Sequence, residues 1–310
     1  MRWDDFRRSD NVEDDRDNSG AGFPGGGIGL PGGGIGLPTG GLGIGSIIVI
    51  GLIGWALGID PSVLIGGAEV ISNSGSRYEQ PNRPAPRAGA PTDATGQFVS
   101  AILGNTEDVW SQIFQSAGRS YQAPRLRLYA GAIPGGCGMA NAAMGPFYCP
   151  RDRRIYLDTS FFRDMQVRFH GCSGKACEFA EAYVIAHEVG HHVQNLIGIL
   201  PKVEAAQQAA GSKAAANRLQ VRVELQADCL AGVWAHHSDE RWKSIEPGDV
   251  EAALQTASAI GDDRLQKQAQ GYVVPDAFTH GSSEQRQRWF SIGLKQGTIA
   301  ACDTFGASSL

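Results

Sequence analysis

His187 and His191 stand four residues apart, with Glu188 directly after the first, in the run Ala186-His187-Glu188-Val189-Gly190-His191-His192. On a helix this spacing puts both imidazoles on one face, one turn apart, where they can hold a single metal ion. Glu188 leans toward the open side of that ion, where a carboxylate can take a proton from a metal-polarised water. The flanks require a buried helix: Phe179, Tyr183, Val184 and Ile185 come before, and Val193, Leu196 and Ile197 after. A polar helix with two solvated histidines would not carry such flanks. Gly190 falls mid-helix, where it costs roughly 1 kcal/mol against alanine. Something must therefore approach closely there, a strand or a substrate.

The run Arg222-Val223-Glu224-Leu225-Gln226-Ala227-Asp228-Cys229 belongs to a second expected helix, from about Lys213 to about His236. A catalytic zinc typically takes three protein ligands and keeps a fourth position for water. Glu224 can supply the third ligand. Asp228, one turn further on, can hydrogen-bond the outer nitrogen of a ligand histidine and fix its tautomer. Two carboxylates at this spacing repel each other, and among apolar neighbours a shared cation accounts for them better than a surface pair does.

His187-Glu188-x-x-His191 followed by Glu224-x-x-x-Asp228 resembles the gluzincin pattern of thermolysin-type proteases. The wider chain resembles the bacterial neutral zinc metallopeptidase family. The resembling features are the opening Met1-Arg2-Trp3, the run Ser9-Asp10-Asn11-Val12-Glu13-Asp14, the stretch Gly145-Pro146-Phe147-Tyr148-Cys149-Pro150, and the two helices just described. A metzincin would need a glycine at position 194 and a histidine at position 197, where this chain has Gln194 and Ile197. The resemblance implies one zinc ion per chain on His187, His191 and Glu224. It makes Glu188 the general base and later the proton donor to the leaving amine, and it implies a zincin-type core that hydrolyses peptide bonds. A strand near Ala140 to Tyr148 could hold the peptide as an added strand. In Thr279-His280-Gly281-Ser282-Ser283-Glu284-Gln285-Arg286, the histidine and arginine resemble a pair near the end of the catalytic part of membrane gluzincins. That makes His280 a catalytic candidate. Arg286 is then either a donor to the oxyanion of a tetrahedral intermediate or a structural salt-bridge partner. His170, His192, His236 and His237 read as surface or satisfied core histidines.

The net charge is −5 over 310 residues with no strongly basic block, which argues against a nucleic-acid partner. Residues 1–40 read as a disordered tail, acidic at first and then rich in glycine and proline, with a heptapeptide repeat at Pro24–Leu30 and Pro31–Leu37. The Gly27, Gly29, Gly32 match to a nucleotide loop carries no weight, because no strand precedes it and Pro31 interrupts it. Residues 41–59 are apolar around Ile47-Ile48-Val49-Ile50. At about 1.5 Å per residue they nearly cross a hydrocarbon core of about 30 Å, so a single-pass transmembrane helix is expected there. Residues 60–96 form a Pro/Ser/Gly-rich linker and residues 97–310 the zinc metallopeptidase domain.

All six cysteines, Cys137, Cys149, Cys172, Cys177, Cys229 and Cys302, follow the apolar run. An even number on one side suggests disulfides and an oxidising compartment. Cys137–Cys149 and Cys172–Cys177 are the local pairings and leave Cys229–Cys302, although six cysteines allow fifteen connectivities in all. The absence of any Cys-x-x-Cys weakens the rival reading of a cysteine metal site.

Phe98, Ile102, Val109, Trp110, Ile113 and Phe114 mark a first helix. Strands are expected at Arg125–Tyr129, Gly145–Tyr148 and Arg154–Leu157, then helices from Asp158 to Phe169, Asp249 to Gln268 and Ser282 to Lys295. The fold class is α+β, a small antiparallel sheet packed on a helical core. The functional expectation is a zinc-dependent endopeptidase, anchored in the bacterial inner membrane with its catalytic domain extracytoplasmic. Its expected partners are a peptide or protein substrate and the lipid bilayer. A non-catalytic zinc-stabilised envelope binding protein and a zinc hydrolase of non-peptide amides are the other readings. Glu188 argues against the first of these, since a structural zinc site closes its fourth position and needs no base.

Overall fold

The computed structural model describes residues 1–18, 87–88, 91–141, 144–167, 170 and 172–310. The strands are β1 (Val12–Asp14), β2 (Arg87–Ala88), β3 (Arg125–Tyr129), β4 (Ala132–Gly135), β5 (Gly138–Asn141), β6 (Phe147–Cys149) and β7 (Arg154–Asp158). The helices are α1 (Ala94–Ser116), α2 (Ser160–Val167), α3 (Cys177–Leu196), α4 (Ile199–Gln208), α5 (Lys213–Trp242), α6 (Asp249–Ala259), α7 (Asp262–Gln270) and α8 (Ser283–Gln296). The class is α+β, a small sheet with mostly helices.

The sheet is not the antiparallel one expected. Its order is β2-β1-β3-β7-β6, and β1, β3 and β7 run parallel. Only the flanking strands are antiparallel, β2 to β1 and β6 to β7. β4 and β5 form a separate hairpin over a small cluster of Tyr129, Ile133, Ala140, Cys149 and Tyr156.

The change follows from the N-terminus, which the charge pattern presented as a disordered tail. Residues 1–18 belong to the same folded unit as the segment from Pro86 onward. Val12 is fully buried in β1, and the acidic residues around it meet arginines from the neighbouring strands. Glu13 Oε1 lies 2.9 Å from Arg125 Nη1 and 3.3 Å from Arg154 Nη2, and Asp15 pairs with Arg127. Upstream, Trp3 packs edge-on against Phe98 with ring centroids 5.3 Å apart, and Phe6 against Trp242 at 5.7 Å. Glu107 on α1 accepts from Ser9 Oγ at 2.6 Å and Asn11 Nδ2 at 2.7 Å. Gly104 of α1 lies directly beneath the Arg7 carbonyl, with no room for a β-carbon.

The helices carry the core. α3 and α5 pack against each other, and α8 lies along α5, with Phe290 edge-on to Tyr183 at 5.2 Å. Trp234 Nε1 of α5 donates to Asn105 Oδ1 of α1 at 2.8 Å. The helix expected over Asp249–Gln268 is two helices. The break falls where Asp262 N donates to the Gly281 carbonyl and the Asp262 carboxylate accepts the backbone N–H groups of Thr279, His280 and Gly281. Three disulfides join Cys137 to Cys149, Cys172 to Cys177 and Cys229 to Cys302.

The expected anchor over residues 41–59 lies outside the described residues. Among the described residues no helix is long and apolar enough to cross a membrane. That finding overturns the inner-membrane location.

His192 joins α3 to the sheet. It accepts from the Tyr148 hydroxyl at Nδ1, 3.0 Å away, and donates from Nε2 to the Gln122 carbonyl at 2.6 Å. Burial pushes its pKa down to about 4. An unfolded histidine titrates near about 6.5. The folded pKa is the lower one, so this contribution to stability is complete above about pH 6.5 and fades as pH falls toward about 4. The ring signals of His192 should hold still in an NMR titration between pH 7 and pH 5, and movement with a midpoint near 6.5 would contradict this placement. Phe6, only 4% exposed, gives a second test. Phe6→Ala should cost about 3 kcal/mol or more in denaturant unfolding, whereas a change within about 0.5 kcal/mol would place the N-terminal segment outside the core.

Candidate metal centre

The centre is assembled from α3 and α5, which cross close together because Gly190 faces α5. A β-carbon on Gly190 would meet Ala227 O at 3.0 Å and Ala227 Cα at 3.2 Å. The close approach at Gly190 is thus made by a neighbouring helix. It brings His187 and His191 of α3 opposite Glu224 of α5.

Glu224 Oε2 lies 3.3 Å from His187 Nε2 and 3.4 Å from His191 Nε2. These separations match the edge of a tetrahedron whose bonds are about 2.0–2.1 Å long, the usual zinc–nitrogen and zinc–oxygen distances. The outer nitrogens are held from behind. His187 Nδ1 lies 2.8 Å from Asp228 Oδ1, and His191 Nδ1 lies 2.9 Å from Gln194 Oε1. Both acceptors require a proton on Nδ1, which turns each Nε2 lone pair toward Glu224. Glu224 is steadied through its other oxygen, which accepts from Gln220 Nε2 at 2.8 Å.

Asp228 is fully buried and accepts from four donors. Besides His187 Nδ1 these are the Tyr183 hydroxyl at 2.6 Å and Arg286 Nε and Nη2, each at 2.9 Å. Arg286 is 3% exposed, and its Nη2 also reaches the Tyr183 hydroxyl at 3.2 Å. The guanidinium therefore faces Asp228. The like charges of Glu224 and Asp228 are separated in role, since Asp228 finds its cation in Arg286.

Gln194 and Gln226 extend the support on the other side. Gln194 Nε2 donates to the Val223 carbonyl at 2.8 Å and to Gln226 Oε1 at 3.0 Å. Gln226 Nε2 donates in turn to the Cys302 carbonyl at 2.9 Å. Sequence reasoning gave no role to Gln194, Gln220, Gln226 or Tyr183. Helical spacing held the signal: Tyr183 precedes His187 by one turn, Gln194 follows His191 by one turn, and Gln220 precedes Glu224 by one turn.

The electrostatics call for a cation. Burial opposes charge on His187, yet Asp228 outweighs it and pushes the imidazole's pKa up to about 10. Burial likewise opposes charge on His191, and Glu224 overcomes it, so that this pKa also rises. Burial alone would raise the Glu224 pKa, but His191 and His187 hold it well below the usual carboxylate range. Two nitrogen donors and one carboxylate oxygen that together favour positive charge are a fitting donor set for zinc.

Glu188 is buried, and its Oε2 has no hydrogen-bond partner. Its charge acts on both His187 and His191. His280 lies at the edge, with its side chain 52% exposed and Nδ1 3.2 Å from Asp262 Oδ1. Burial opposes its protonation, but the contact with Asp262, aided by the charge of Glu224, raises its pKa. The disulfide Cys229–Cys302 adjoins this network, while Cys137–Cys149 and Cys172–Cys177 brace the hairpin and the start of α3.

Two curated relatives share this chain's length to different degrees. The uncharacterised protein YpfJ of Escherichia coli is 48% identical over 308 residues, covering 99% of this chain and 100% of the relative. An uncharacterised protein of Mycobacterium tuberculosis is 43% identical over 235 residues, covering 72% of this chain and 75% of the relative. No solved structure matches. The family described as "Putative neutral zinc metallopeptidase" matches residues 1–305, a span that takes in the N-terminal strand as well as α3, α5 and α8. With its two-histidine helix and its Glu224 helix inside that span, the chain belongs to the neutral zinc metallopeptidase family.

Proposed function

We propose that the protein is a zinc-dependent endopeptidase. The observation that carries this reading is the buried, unpartnered Oε2 of Glu188 beside three converging donor atoms. A site that only propped up the fold would have no use for a spare carboxylate oxygen. His187, His191 and Glu224 would hold the ion. When bound, zinc supplies Lewis acidity, polarising a carbonyl and acidifying a water.

The remaining steps belong to the side chains. Glu188 takes the proton from the attacking water and later delivers it to the leaving amine. Asp228 and Gln194 keep the two imidazoles in the donating tautomer, and Arg286 keeps Asp228 ionised and aimed. His280, drawn toward positive charge and half open to solvent, is suited to stabilise the oxyanion. β6 suits an extended substrate. It is the edge of the five-stranded sheet, and the Tyr148 hydroxyl, bonded to His192 and Asn195, fastens it to α3. A peptide added to that edge would be held mainly by its backbone, which leaves side-chain selectivity loose.

Cleavage of an unstructured protein such as casein by the purified chain should stop with a chelator and return with zinc. Glu188→Gln should retain zinc and lose on the order of 10²–10⁴ in rate, and ordinary turnover by the zinc-loaded variant would take Glu188 out of the mechanism. Glu224→Ala should empty the site, whereas Asp228→Asn keeps three ligands and should cost roughly 10–100-fold in affinity or activity. His280→Ala should leave zinc content unchanged and slow turnover alone. Elemental analysis after dialysis, with rates on the same samples, separates these outcomes. Full zinc in Glu224→Ala would place the third ligand elsewhere.

A further inference from the structure

Further along α5, His236, His237 and Glu240 each bring one nitrogen or oxygen within 4.8 Å of the others. Glu240 Oε1 lies 3.5 Å from His236 Nε2, and Glu240 Oε2 lies 3.1 Å from His237 Nδ1. The opposite ring nitrogens are engaged at the end of α8. His236 Nδ1 donates to the Leu294 carbonyl and His237 Nε2 to the Gly297 carbonyl, both at 2.8 Å. A carbonyl can only accept, so each far nitrogen carries the proton. In a neutral imidazole the near nitrogen then offers a lone pair, and both lone pairs lie on the Glu240 side.

Helical spacing alone does not create this arrangement, since neighbouring residues point about 100° apart around a helix. The α8 carbonyls hold the two rings with their centroids 5.1 Å apart. Backbone carbonyls that fix the far nitrogens are the support metal-binding histidines usually have. Protonating both rings instead would set two cations side by side against one carboxylate. A single divalent ion satisfies all three groups at once, and the last turn of α8 adds the negative end of its helix dipole.

We propose that His236, His237 and Glu240 form a second site, for a divalent first-row transition ion such as zinc. The two histidine–carboxylate separations, 3.5 Å to one Glu240 oxygen and 3.1 Å to the other, are close to the roughly 3.3 Å edge set by bonds of about 2.0–2.1 Å, and one donor atom from each residue falls within 4.8 Å of the others. Imidazole donors favour zinc, nickel and copper over magnesium and calcium. Side-chain exposures of 28%, 33% and 61% leave water access for the remaining positions. His236 follows Glu224 by 12 residues of one helix, about 18 Å, whereas paired catalytic ions sit about 3.5–4 Å apart. The site is therefore separate. It joins α5 to the end of α8, the helix that carries Arg286, and a bound ion stabilises that junction by mass action.

The test uses the full chain, stripped with a chelator and dialysed against zinc. His236→Asn and His237→Gln suit it, because each amide nitrogen can keep the hydrogen bond to α8 while the metal-binding lone pair is removed. The double variant should hold one zinc fewer per chain by elemental analysis, and zinc should raise its melting temperature less. Glu224→Ala should keep this ion, so failure here is distinct from failure at the other centre. Millimolar magnesium or calcium should not displace it. Unchanged zinc content and unchanged zinc-dependent melting in the double variant would overturn the proposal. Should that variant not fold, Glu240→Gln, altered only at an exposed side chain, should weaken the added zinc on the order of 10–100-fold, and an unaltered affinity would overturn the proposal equally.

Discussion

Asp228 is the group on which the arrangement of the site depends. It is a fully buried carboxylate that would be costly to hold without partners, and four donors from α3 and α8 surround it. Removing any one leaves charge or polarity stranded, so the three helices are bound into one geometry. The metal-ligand face of α3 is thereby oriented by a group that is not itself a donor to the ion but hydrogen-bonds one of the donors, His187. Close packing at Gly190 and Ala227 sets the distance between the helices, and Asp228 with Arg286 sets their rotation. Each would be ineffective without the other.

Much of this was legible in the chain. His187 with His191, and Glu224 with Asp228, stand on two helices at spacings that allow one face each, and the structure brings them together, with Glu188 buried next to His187. The capping box at Ser282 and Gln285 opens α8 where the pattern placed a helix start. What spacing along one element cannot reveal is a partner on another. Arg286 could be read as an oxyanion donor or as a salt-bridge partner, and only the packing of α8 on α5 turns its guanidinium to Asp228. Gln194 looked like an ordinary helix residue, because its value lies in reaching His191 with one end and α5 with the other. The hidden break at Asp262 has the same origin, since the loop that claims its carboxylate comes 17 residues later.

The N-terminal segment was illegible for a different reason. Charge density is a sound signal of disorder when charges have only water to meet. Here Glu13 and Asp15 meet Arg125, Arg127 and Arg154, which stand on strands more than a hundred residues further along the chain. An isolated strand of three residues with one buried valine gives almost no periodic signal. The mixed sheet was lost together with it, because β1 is one of its three parallel strands.

That placement bears on how the molecule is made. β1 leaves the ribosome well before its partner strand β3, which follows 112 residues later at Glu13 and Arg125. Contacts between distant segments are slow to form, since closing the long loop must precede any gain from pairing. The first eighteen residues, with their apolar Met1, Trp3 and Phe6, must wait for a sheet and a helix that do not yet exist. Until then they are a sticky segment of a growing chain, and the acidic residues that disguised a strand in the sequence give that segment a charge that opposes association while it waits.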